Sequence, residues 1–540
     1  MVITSPCRLP KQSVRRFFFS PERPITKEPA SVEQNTSNVT SSAIHPLPPP
    51  PGYLGYLSGA ITSLLPKGSF NFNIGLPKIS LADQKTTVLK TNTAGAPVKA
   101  VKADRLIERK ISRTEVTNKT RGLVKRLLLS ESDASRLLRI QDLSNHIMTY
   151  PPTRCTAAQE SSLVSYLLKL EETATDQNLR NEARQCLTLC GHQPEVKSRG
   201  INLLTIDGGG TRGMMGLAIL EHMEQISGKK IYELFDHVVG VSTGAIIATL
   251  LGVQRYSVKE CRDIYMEISR KLFNQGKIQG VTGLIRQHSY YDTTKWIAIL
   301  KQLIGEHDIL IETSKEKGIP RLSIIASIVN LPKLEPYVFR NYEHPAGRDS
   351  HYRGGTNHPL WQAIQASAAA PFYFEEVQLG EILLQDGGVI ANNPTAIAIH
   401  ETKLLWPNES LHCVVSVGNG RSVVELEPAP TVKSTGVQNK LARLIDSATD
   451  TEAVHMSMHD LIDADVYYRL NPYMTYPYGL DEIDPDRLEQ MQQDAVLYVR
   501  RNSSKIEEAT QRALQKPRAL QNLKRGYGAW RDKRVSYSPK

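Results

Sequence analysis

Hydrophobic and polar positions follow two alternating patterns in the second part of the chain. From about Arg199, short runs of β-branched and aliphatic residues predict buried strands, and segments with helical spacing, such as 359–370, lie between them. The predicted strands are at 203–206, 238–241, 321–330, 335–342, 381–388 and 411–420. Strands that alternate with helices indicate an α/β fold with a mostly parallel central sheet.

The flanking regions have different patterns. Between Ala103 and about His192, apolar residues recur at helical spacing and predict three or four helices. Residues 1 to about 100 are rich in Pro, Ser, Thr and Asn, which predicts disorder, and the chain after about Val432 is polar and mostly helical in spacing. We therefore predict four regions: a disordered basic leader and linker at 1–102, an α-helical region at 103–198, an α/β domain at 199–431 and a helical C-terminal extension at 432–540.

The stretch LFDHVVGVSTGAIIATLLG, from Leu234 to Gly252, places a serine between two glycines where strand spacing changes to helical spacing. A strand and a helix can pack so closely only if residues near the serine lack side chains, which explains Gly240 and Gly244. Ser242 is then held in a strained conformation with its hydroxyl pointing out, which is the nucleophile-elbow pattern G-x-S-x-G. A tight structural turn with an unused serine is the alternative interpretation.

A glycine-rich segment, D-G-G-G-T-R-G, follows the first predicted strand and opens the next helix near Met214. Glycines let backbone N–H groups approach a ligand closely, and a helix N-terminus adds positive potential, so this loop can hold an oxyanion. The candidate oxyanion-hole residues are Gly208, Gly209, Gly210, Thr211, Arg212 and Gly213. The loop also fits G-x-G-x-x-G. However, the next strand ends in Gly240 and not in the acid of a dinucleotide site, and Met214 stands where a Walker loop has lysine.

A candidate general base lies in the segment LLQDGGVIANNP. Asp386 closes an apolar strand, so we expect its carboxylate at the carboxyl edge of the sheet, where Ser242 also lies. An Asx-turn before Gly387 is the structural alternative. A histidine relay is a rival arrangement, because Ser, Asp and His follow one another in this order in α/β-hydrolases. The histidines after Asp386 are His400, His412, His455 and His459.

The positive charge of the chain belongs to its N-terminal part. The net charge is +11, and residues 1–130 hold 20 Lys and Arg against 7 Asp and Glu. A basic arm attracts anionic partners, which leaves a phospholipid surface, nucleic acid or an import receptor as alternatives. Arg8, Lys11, Arg15 and Arg16 precede the first acid, Glu22, and such a leader is typical of mitochondrial transit peptides.

Other sequence features narrow the function further. The longest apolar run, Val238 to Val253, has 16 residues and is interrupted by the elbow, so no transmembrane helix is predicted. The six cysteines have neither disulfide-framework nor zinc-site spacing and are expected to be mostly buried free thiols. No metal-ligand cluster accompanies the three motifs, and we expect neither a metal nor a cofactor.

DGGGTRG, GVSTG and QDGG, in this order, resemble the patatin-like phospholipases from about Leu203 to Arg421. The surrounding segments, among them WQAI, AAAPFYF, NNP and SATDTE, are most similar to the gamma type of calcium-independent phospholipase A2. The resemblance implies a patatin-like three-layer fold at 199–431. It also implies a membrane-associated enzyme of mitochondria, peroxisomes or endoplasmic reticulum. The chain ends Tyr-Ser-Pro-Lys and not Ser-Lys-Leu, so we expect a mitochondrial over a peroxisomal location.

The resemblance also implies roles for the candidate residues. Ser242 attacks the ester carbonyl of a phospholipid at a peripheral membrane surface, and Asp386 takes its proton without a histidine. The amides around Gly209, Gly210 and Thr211 hold the oxyanion, while Arg212 contacts a lipid phosphate or forms a salt bridge at the helix start. No nucleic-acid partner is expected. Two other hypotheses stay open: a non-catalytic lipid-binding scaffold, and a nucleotide-binding module using the glycine-rich loop.

Overall fold

The structure is a computed structural model that describes residues 112–160, 162–274, 291–422 and 451–519, together with Gln521 and Leu523. The predicted disordered region 1–102 lies outside these ranges, and so do residues 432–450, 520, 522 and 524–540 of the predicted C-terminal extension. Within them, no helix combines the length and the hydropathy needed to cross a bilayer.

Helices come first in the described chain. They are α1 (Arg113–Leu128), α2 (Asp133–Thr149), α3 (Thr153–Gln159), α4 (Leu163–Thr173) and α5 (Gln177–Leu189). Side-chain oxygens of Ser112, Ser132 and Asp176 cap the starts of α1, α2 and α5, each accepting a bond from a backbone N–H of the first turn. Leucines of these helices form a separate core, which Ile311 joins from the body of the protein. The described residues therefore hold five helices here, against the three or four predicted.

A central sheet follows these helices. The strands of the described chain are β1 (Ile201–Ile206), β2 (His237–Val241), β3 (Arg321–Ile328), β4 (Glu335–Arg340), β5 (Arg353–Gly355), β6 (Val377–Leu379), β7 (Ile382–Asp386), β8 (Leu411–Val417), β9 (Arg421–Ser422), β10 (Tyr467–Leu470) and β11 (Tyr473–Met474). The main sheet has the order β10-β8-β1-β2-β3-β4-β5, with β7 paired to β3 and β6 to β7. Strands β10, β8, β1, β2 and β3 are mutually parallel.

Helices cover both faces of this sheet. The remaining helices are α6 (Gly213–Ser227), α7 (Ile231–Leu234), α8 (Thr243–Ala248), α9 (Val258–Phe273), α10 (Thr293–Ile304), α11 (Leu360–Ser367), α12 (Gly388–Ala391), α13 (Thr395–Leu405), α14 (Thr451–Leu461), α15 (Pro485–Arg501) and α16 (Ser503–Ala513). Leu204 and Ile206 face a large core with α6, α8, α9, α10, α11 and α16. Leu203 and Val239 point the other way, into a smaller core with α13. The result is a helix–sheet–helix arrangement, and the predicted α/β fold with a mostly parallel sheet is confirmed.

Strand β7 runs antiparallel to β3, whereas a fully parallel sheet would make these two strands parallel. It pairs antiparallel with Ala326 to Ile328 at the end of β3, while β2 pairs parallel with the five preceding residues of β3. Because β4 occupies the other side of β3 over these residues, β7 continues the line of β2 beyond its end. The last residue of β2, Val241, and the last residue of β7, Asp386, thus lie opposite neighbouring residues of β3. The two strands end face to face.

The described part of the C-terminal extension is not only helical, which corrects the prediction for 432–540. Residues 467–470 form β10, which pairs with β8 and becomes an edge of the main sheet. Met491 and Ala495 of α15 also pack against Met215 of α6. The strand was missed because Tyr-Tyr-Arg-Leu is a short segment between long polar helices, and only its pairing with β8 gives it strand structure.

Candidate active site

Ser242 occupies a sharp turn between β2 and α8. Its φ of 54° and ψ of −124° are rare for a residue with a side chain, as the elbow pattern predicts. Its backbone N–H donates to Ser367 Oγ at 2.8 Å, and that hydroxyl donates to the carbonyl of Ile325 at 2.6 Å. Ser242 as a residue is half-buried, and its backbone is fixed through the bond to Ser367.

The two glycines of the elbow stand where backbone segments nearly touch. A Cβ on Gly240 would lie 2.2 Å from the carbonyl oxygen of Gly244, and a Cβ on Gly244 would lie 2.2 Å from the carbonyl oxygen of Ile206. Neither position has room for a side chain. The glycines therefore allow β1, β2 and α8 to approach one another at the serine, which is the reason given for them from the sequence.

Asp386 directly contacts the serine hydroxyl. Ser242 Oγ donates to Asp386 Oδ2 at 2.5 Å, and the N–H of Gly388 donates to Asp386 Oδ1 at 2.7 Å. The backbone of Asp386 is also fixed, because its N–H donates to Ala369 O and its carbonyl accepts from Ser327 Oγ. The expected position of Asp386 near Ser242 is therefore observed, although it results from the facing ends of β2 and β7 and not from a shared parallel edge.

Burial changes the acid–base behaviour of Asp386. The residue is 6% exposed, and burial raises its pKa to about 6 although both hydrogen bonds to the carboxylate act to lower it. A carboxylate with this pKa is a better proton acceptor than an ordinary aspartate and is still ionised at neutral pH.

No histidine hydrogen-bonds to Ser242 or Asp386 in the described part of the chain. The four histidines of the rival relay have other partners: His400 contacts the N–H of His351, His412 contacts Arg512 O, His455 contacts Tyr467 OH, and His459 lies near Asp460. The geometry therefore contains a serine–carboxylate pair and leaves the relay without its histidine.

The glycine-rich loop lies beside the serine, but only part of it has amides to offer. A Cβ on Gly208 would lie 3.1 Å from Ser242 Cβ, which places the loop against the nucleophile. Four of the six candidate amides already have acceptors: Gly208 N–H donates to Asn392 O, Thr211 N–H to Leu480 O, Arg212 N–H to Gly209 O, and Gly213 N–H to the carbonyls of Gly210 and Thr211. The amides of Gly209 and Gly210 have no acceptor among the described residues. The predicted oxyanion hole is therefore reduced to the amides of Gly209 and Gly210. The amides of Gly208, Thr211, Arg212 and Gly213 are removed from it because they already have acceptors.

The orientation of the loop is fixed by side chains around it. Thr243 Oγ1 donates to Gly210 O at 3.0 Å, and Tyr265 OH donates to the same carbonyl. Asn419 Nδ2 donates to the carbonyl of Asp207 at 2.6 Å. Arg212 Nε donates to Gly209 O at 3.1 Å, so this side chain also bonds within the loop, and its predicted contact with a lipid phosphate stays a prediction.

Ser367 and Asn419 were not identified from the sequence. Ser367 lies in QASAAA at the end of α11, and Asn419 lies in VGNG after β8. Neither segment has a spacing that distinguishes a site residue from a turn residue. Their roles follow only from pairings across the sheet, which bring α11 and the end of β8 next to β1 and β2.

An exposed aromatic residue, Phe372, lies three positions after Ala369, whose carbonyl accepts from the Asp386 N–H. Phe372 follows the segment whose Ala369 carbonyl holds Asp386, is 47% exposed, and has a φ of 70°. The neighbouring ring of Tyr373 stacks on Tyr291, whose hydroxyl donates to Asp481 Oδ2 at 2.5 Å. Asp481 follows Leu480, whose carbonyl accepts from the Thr211 N–H of the glycine-rich loop. These contacts therefore connect the segment that holds Asp386 with the glycine-rich loop.

Comparison with known proteins gives consistent matches. Residues 204–399 match the family of patatin-like phospholipases. The chain is 36% identical over 508 residues to calcium-independent phospholipase A2-gamma of Mus musculus, covering 93% of this chain and 63% of that protein. For calcium-independent phospholipase A2-gamma of Homo sapiens the identity is 36% over 506 residues, covering 91% and 62%. Phospholipase A I of Arabidopsis thaliana is 30% identical over 348 residues, covering 54% and 26%. The chain thus spans about three fifths of the length of the first two relatives.

Proposed function

The chain belongs to the patatin-like phospholipase family through residues 204–399, and from this premise we propose that it is a calcium-independent phospholipase. It hydrolyses fatty-acyl ester bonds of membrane glycerophospholipids and releases a free fatty acid and a lysophospholipid. The observation that carries the proposal is the 2.5 Å contact between Ser242 Oγ and the buried carboxylate of Asp386.

The first half of the reaction transfers the acyl group to the serine. Asp386 accepts the hydroxyl proton while Ser242 Oγ attacks the ester carbonyl carbon. The carbonyl oxygen becomes an oxyanion, which the N–H groups of Gly209 and Gly210 stabilise, with about 3–4 kcal/mol lost when one such donor is removed. The tetrahedral intermediate then breaks its bond to the glycerol oxygen. That oxygen takes the proton from Asp386 and leaves as the lysophospholipid.

The second half regenerates the enzyme. Asp386, ionised again, accepts a proton from a water molecule that attacks the acyl-serine carbonyl. The resulting intermediate collapses, the fatty acid leaves, and the proton returns from Asp386 to Ser242 Oγ. One carboxylate therefore serves as base and then as acid in each half. This requires a pKa close to the working pH, and the raised pKa of Asp386 supports it.

The substrate class is supported by the relatives and by the charge of the chain. The matched relatives are named calcium-independent phospholipase A2-gamma and phospholipase A I. The basic residues concentrated in 1–130 favour an anionic membrane surface, and the exposed Phe372, three positions after the residue that holds the Asp386 backbone, suits contact with the interfacial region of that membrane. We place the protein at a membrane as a peripheral enzyme, with mitochondria as the location that the leader favours.

The decisive experiment is mass-spectrometric product analysis on a phospholipid with two different acyl chains. The unmodified protein should release one or both fatty acids with the matching lysophospholipid. Ser242→Ala and Asp386→Asn should each lower the rate about 10⁴-fold or more, because the two residues act as a unit. His455→Ala and His459→Ala are the controls, and either losing as much activity as Asp386→Asn would contradict the dyad.

Folding of the variants is checked by thermal unfolding. Burial raises the pKa of Asp386 to about 6 in the folded protein, so the ionisation of this carboxyl opposes folding; the cost is absent below the ordinary aspartate pKa of about 3.9, builds up as the pH rises from there, and is complete above about pH 6. Asp386→Asn carries no charge there at any pH. We therefore expect its melting temperature at about pH 8 to be no lower than that of the unmodified protein, so that lost activity reports on catalysis.

A further inference from the structure

A buried ion pair lies directly behind the glycine-rich loop. Arg469 Nη2 donates to Asp207 Oδ2 at 2.7 Å, and both side chains are 2% exposed. Asp207 immediately precedes Gly208, Gly209 and Gly210. Arg469 lies in β10, outside the region 204–399 that matches the family model.

The sheet brings the two residues together. Arg469 lies opposite Ser416 of β8, and Ser416 lies opposite Thr205 of β1, so the three occupy one row across three parallel strands. Arg469 Nη1 donates to Ser416 Oγ at 3.0 Å. Asp207 follows Thr205 by two residues and points to the same face. The guanidinium thus spans β8 and reaches the carboxylate at the end of β1.

The C-terminal segment makes further contacts at the same place. The carbonyl of Leu480 accepts the Thr211 N–H at 2.8 Å and would lie 2.0 Å from a Cβ on Gly210. Glu452 of α14 lies 3.4 Å from Arg469 and also accepts from Asn471 at 2.9 Å. Residues beyond position 450 therefore contact the loop on two sides.

The charge of Asp207 matters because of its distance from the reacting oxygen. Three residues of chain reach at most about 11 Å, so the carboxylate lies within roughly that distance of the Gly210 amide. A lone negative charge about 10 Å from a developing oxyanion, at an effective dielectric constant near 20, slows its formation roughly ten- to twentyfold.

We infer that Arg469 is a positioning residue for ester hydrolysis, which acts through Asp207 by neutralising its carboxylate behind the oxyanion loop. This inference rests on the proposed function. The residues that hydrolysis depends on then extend beyond the matched region 204–399, because the segment from Glu452 to Leu480 supplies both the positive charge of Arg469 and the carbonyl of Leu480 that contacts the loop.

The experiment compares four proteins on a soluble p-nitrophenyl ester across the pH range: the unmodified chain, Arg469→Gln, Arg469→Lys, and the double variant Asp207→Asn/Arg469→Gln. Arg469→Gln should lower kcat at least tenfold at alkaline pH with KM changed less than about threefold, because the free enzyme still binds the ester. Arg469→Lys should retain the pH profile of the unmodified chain. The double variant should recover most of the lost kcat, since no lone charge remains.

The pH profile separates an electrostatic from a structural role. Burial raises the pKa of Asp207 and the Arg469 guanidinium opposes that shift, so Arg469→Gln moves this pKa further up. The titratable groups facing Asp207 are Arg469 and Tyr467 of β10 and Glu452 of α14. In Arg469→Gln, kcat should fall through a new alkaline ionisation as Asp207 loses its proton, and the double variant should lack it. A loss that is equal at every pH and unchanged in the double variant would overturn the inference.

A matched control is available in the same fold. Arg340 bonds bidentately to Glu401 at 2.8 Å, with side chains 8% and 0% exposed. Arg340 pairs with Ser323, about 10 Å along β3 from Ala326, the partner of Asp386. Arg340→Gln should lower the melting temperature without adding an alkaline ionisation to the pH profile of kcat, and an added ionisation would count against the inference.

An unmodified chain that hydrolyses no ester would instead refute the proposed function. If Arg469→Gln does not fold, the Lys and double variants carry the comparison, and a double variant more than tenfold slower than the unmodified chain contradicts it.

Discussion

At the scale of single residues, Ser242 holds a conformation that must be stabilised by its surroundings. A positive φ in a residue with a side chain costs about 1–3 kcal/mol. The bond from its N–H to Ser367 Oγ and the close approach of Gly244 to Ile206 keep the turn in place. The hydroxyl is therefore oriented toward Asp386 before any substrate arrives, and no rearrangement of the turn is needed for attack.

The raised pKa of Asp386 sets the acidic limit of activity. The base must be ionised to accept the serine proton, and burial keeps it protonated up to about pH 6. We expect kcat/KM on a soluble ester to be full well above pH 6 and to fall about tenfold per unit below it. Titration of the rate from about pH 4 to pH 9 measures this limit.

The assignment of that limit to Asp386 has its own control. In the Asp207→Asn/Arg469→Gln variant the limit should stay near pH 6, since Asp386 is unchanged. A limit near the ordinary aspartate value of about 3.9 would mean that burial does not tune this carboxylate.

Two residue-level features could be predicted from the sequence because their signals are local. Ser242 between Gly240 and Gly244, and Asp386 before Gly387, occupy short motifs in which each residue constrains its neighbours. Ser367 and Arg469 could not be predicted, because their partners lie 125 and 262 positions away in the chain and no local pattern marks them.

At the scale of secondary-structure elements, the packing of α8 against β1 depends on Gly244. We expect Gly244→Ala to destabilise the protein by about 3 kcal/mol or more, because its Cβ would lie 2.2 Å from the backbone oxygen of Ile206 and a backbone cannot move aside cheaply. Activity should be lost with it, since α8 begins directly after Ser242. Urea unfolding monitored by circular dichroism measures the change in free energy.

Gly252 provides the comparison for this substitution. It is also buried and lies a few residues beyond α8, but a Cβ there would be 3.5 Å from its nearest neighbour, a side-chain atom of Pro320. Gly252→Ala should change stability by less than about 1 kcal/mol. Equal losses in the two variants would show that the close approach of β1 and α8 is not what makes glycine necessary at 244.

The strands were easier to predict than their directions. The apolar run at 381–388 indicates a strand, but nothing within it shows that β7 runs antiparallel and meets the end of β2. Strand β2 pairs with β3 only as far as Ile325, and the backbone groups of Ala326 to Ile328 on that side of β3 pair with β7 instead. The position and direction of β7 therefore depend on where β2 ends. The predicted location of Asp386 agrees with the structure, but the strand arrangement that produces this location cannot be inferred from the sequence.

At the scale of the whole molecule, activity should not depend on calcium. No group of three or more His, Cys, Asp or Glu that could hold a metal occurs in the described residues, and backbone amides are available for the oxyanion. Hydrolysis of a soluble ester should stay within about twofold when a chelator is added. Activity that disappears in chelator and returns with calcium would contradict this.

The N-terminal region should affect placement more than chemistry. Every contact described around the dyad comes from residues 206–481, so deletion of residues 1–100 should leave hydrolysis of a soluble ester unchanged. The same deletion should lower the hydrolysis of anionic vesicles at low salt, because each Lys or Arg near such a surface contributes about 1 kcal/mol to membrane binding. Both substrates are assayed with the full and the shortened chain at low and high salt.

Fluorescent fusions of the same two proteins test the address. The full chain should reach mitochondria and the shortened chain should not, because Arg8, Lys11, Arg15 and Arg16 are deleted. A shortened chain that is inactive on soluble ester would refute the predicted disorder of the leader, and one that still reaches mitochondria would refute the targeting role.

The position of β10 has a consequence for how the protein is made. A ribosome adds about 5–20 residues per second, so the 262 positions between Asp207 and Arg469 take roughly 13–50 seconds to synthesise. During that interval the elbow and Asp386 emerge, while β8 offers an unpaired edge and the Asp207 carboxylate lacks its guanidinium. Until β10 has left the ribosome, β8 is therefore the exposed edge of the nascent sheet, and Asp207 gains its neutralising guanidinium only when β10 pairs with β8.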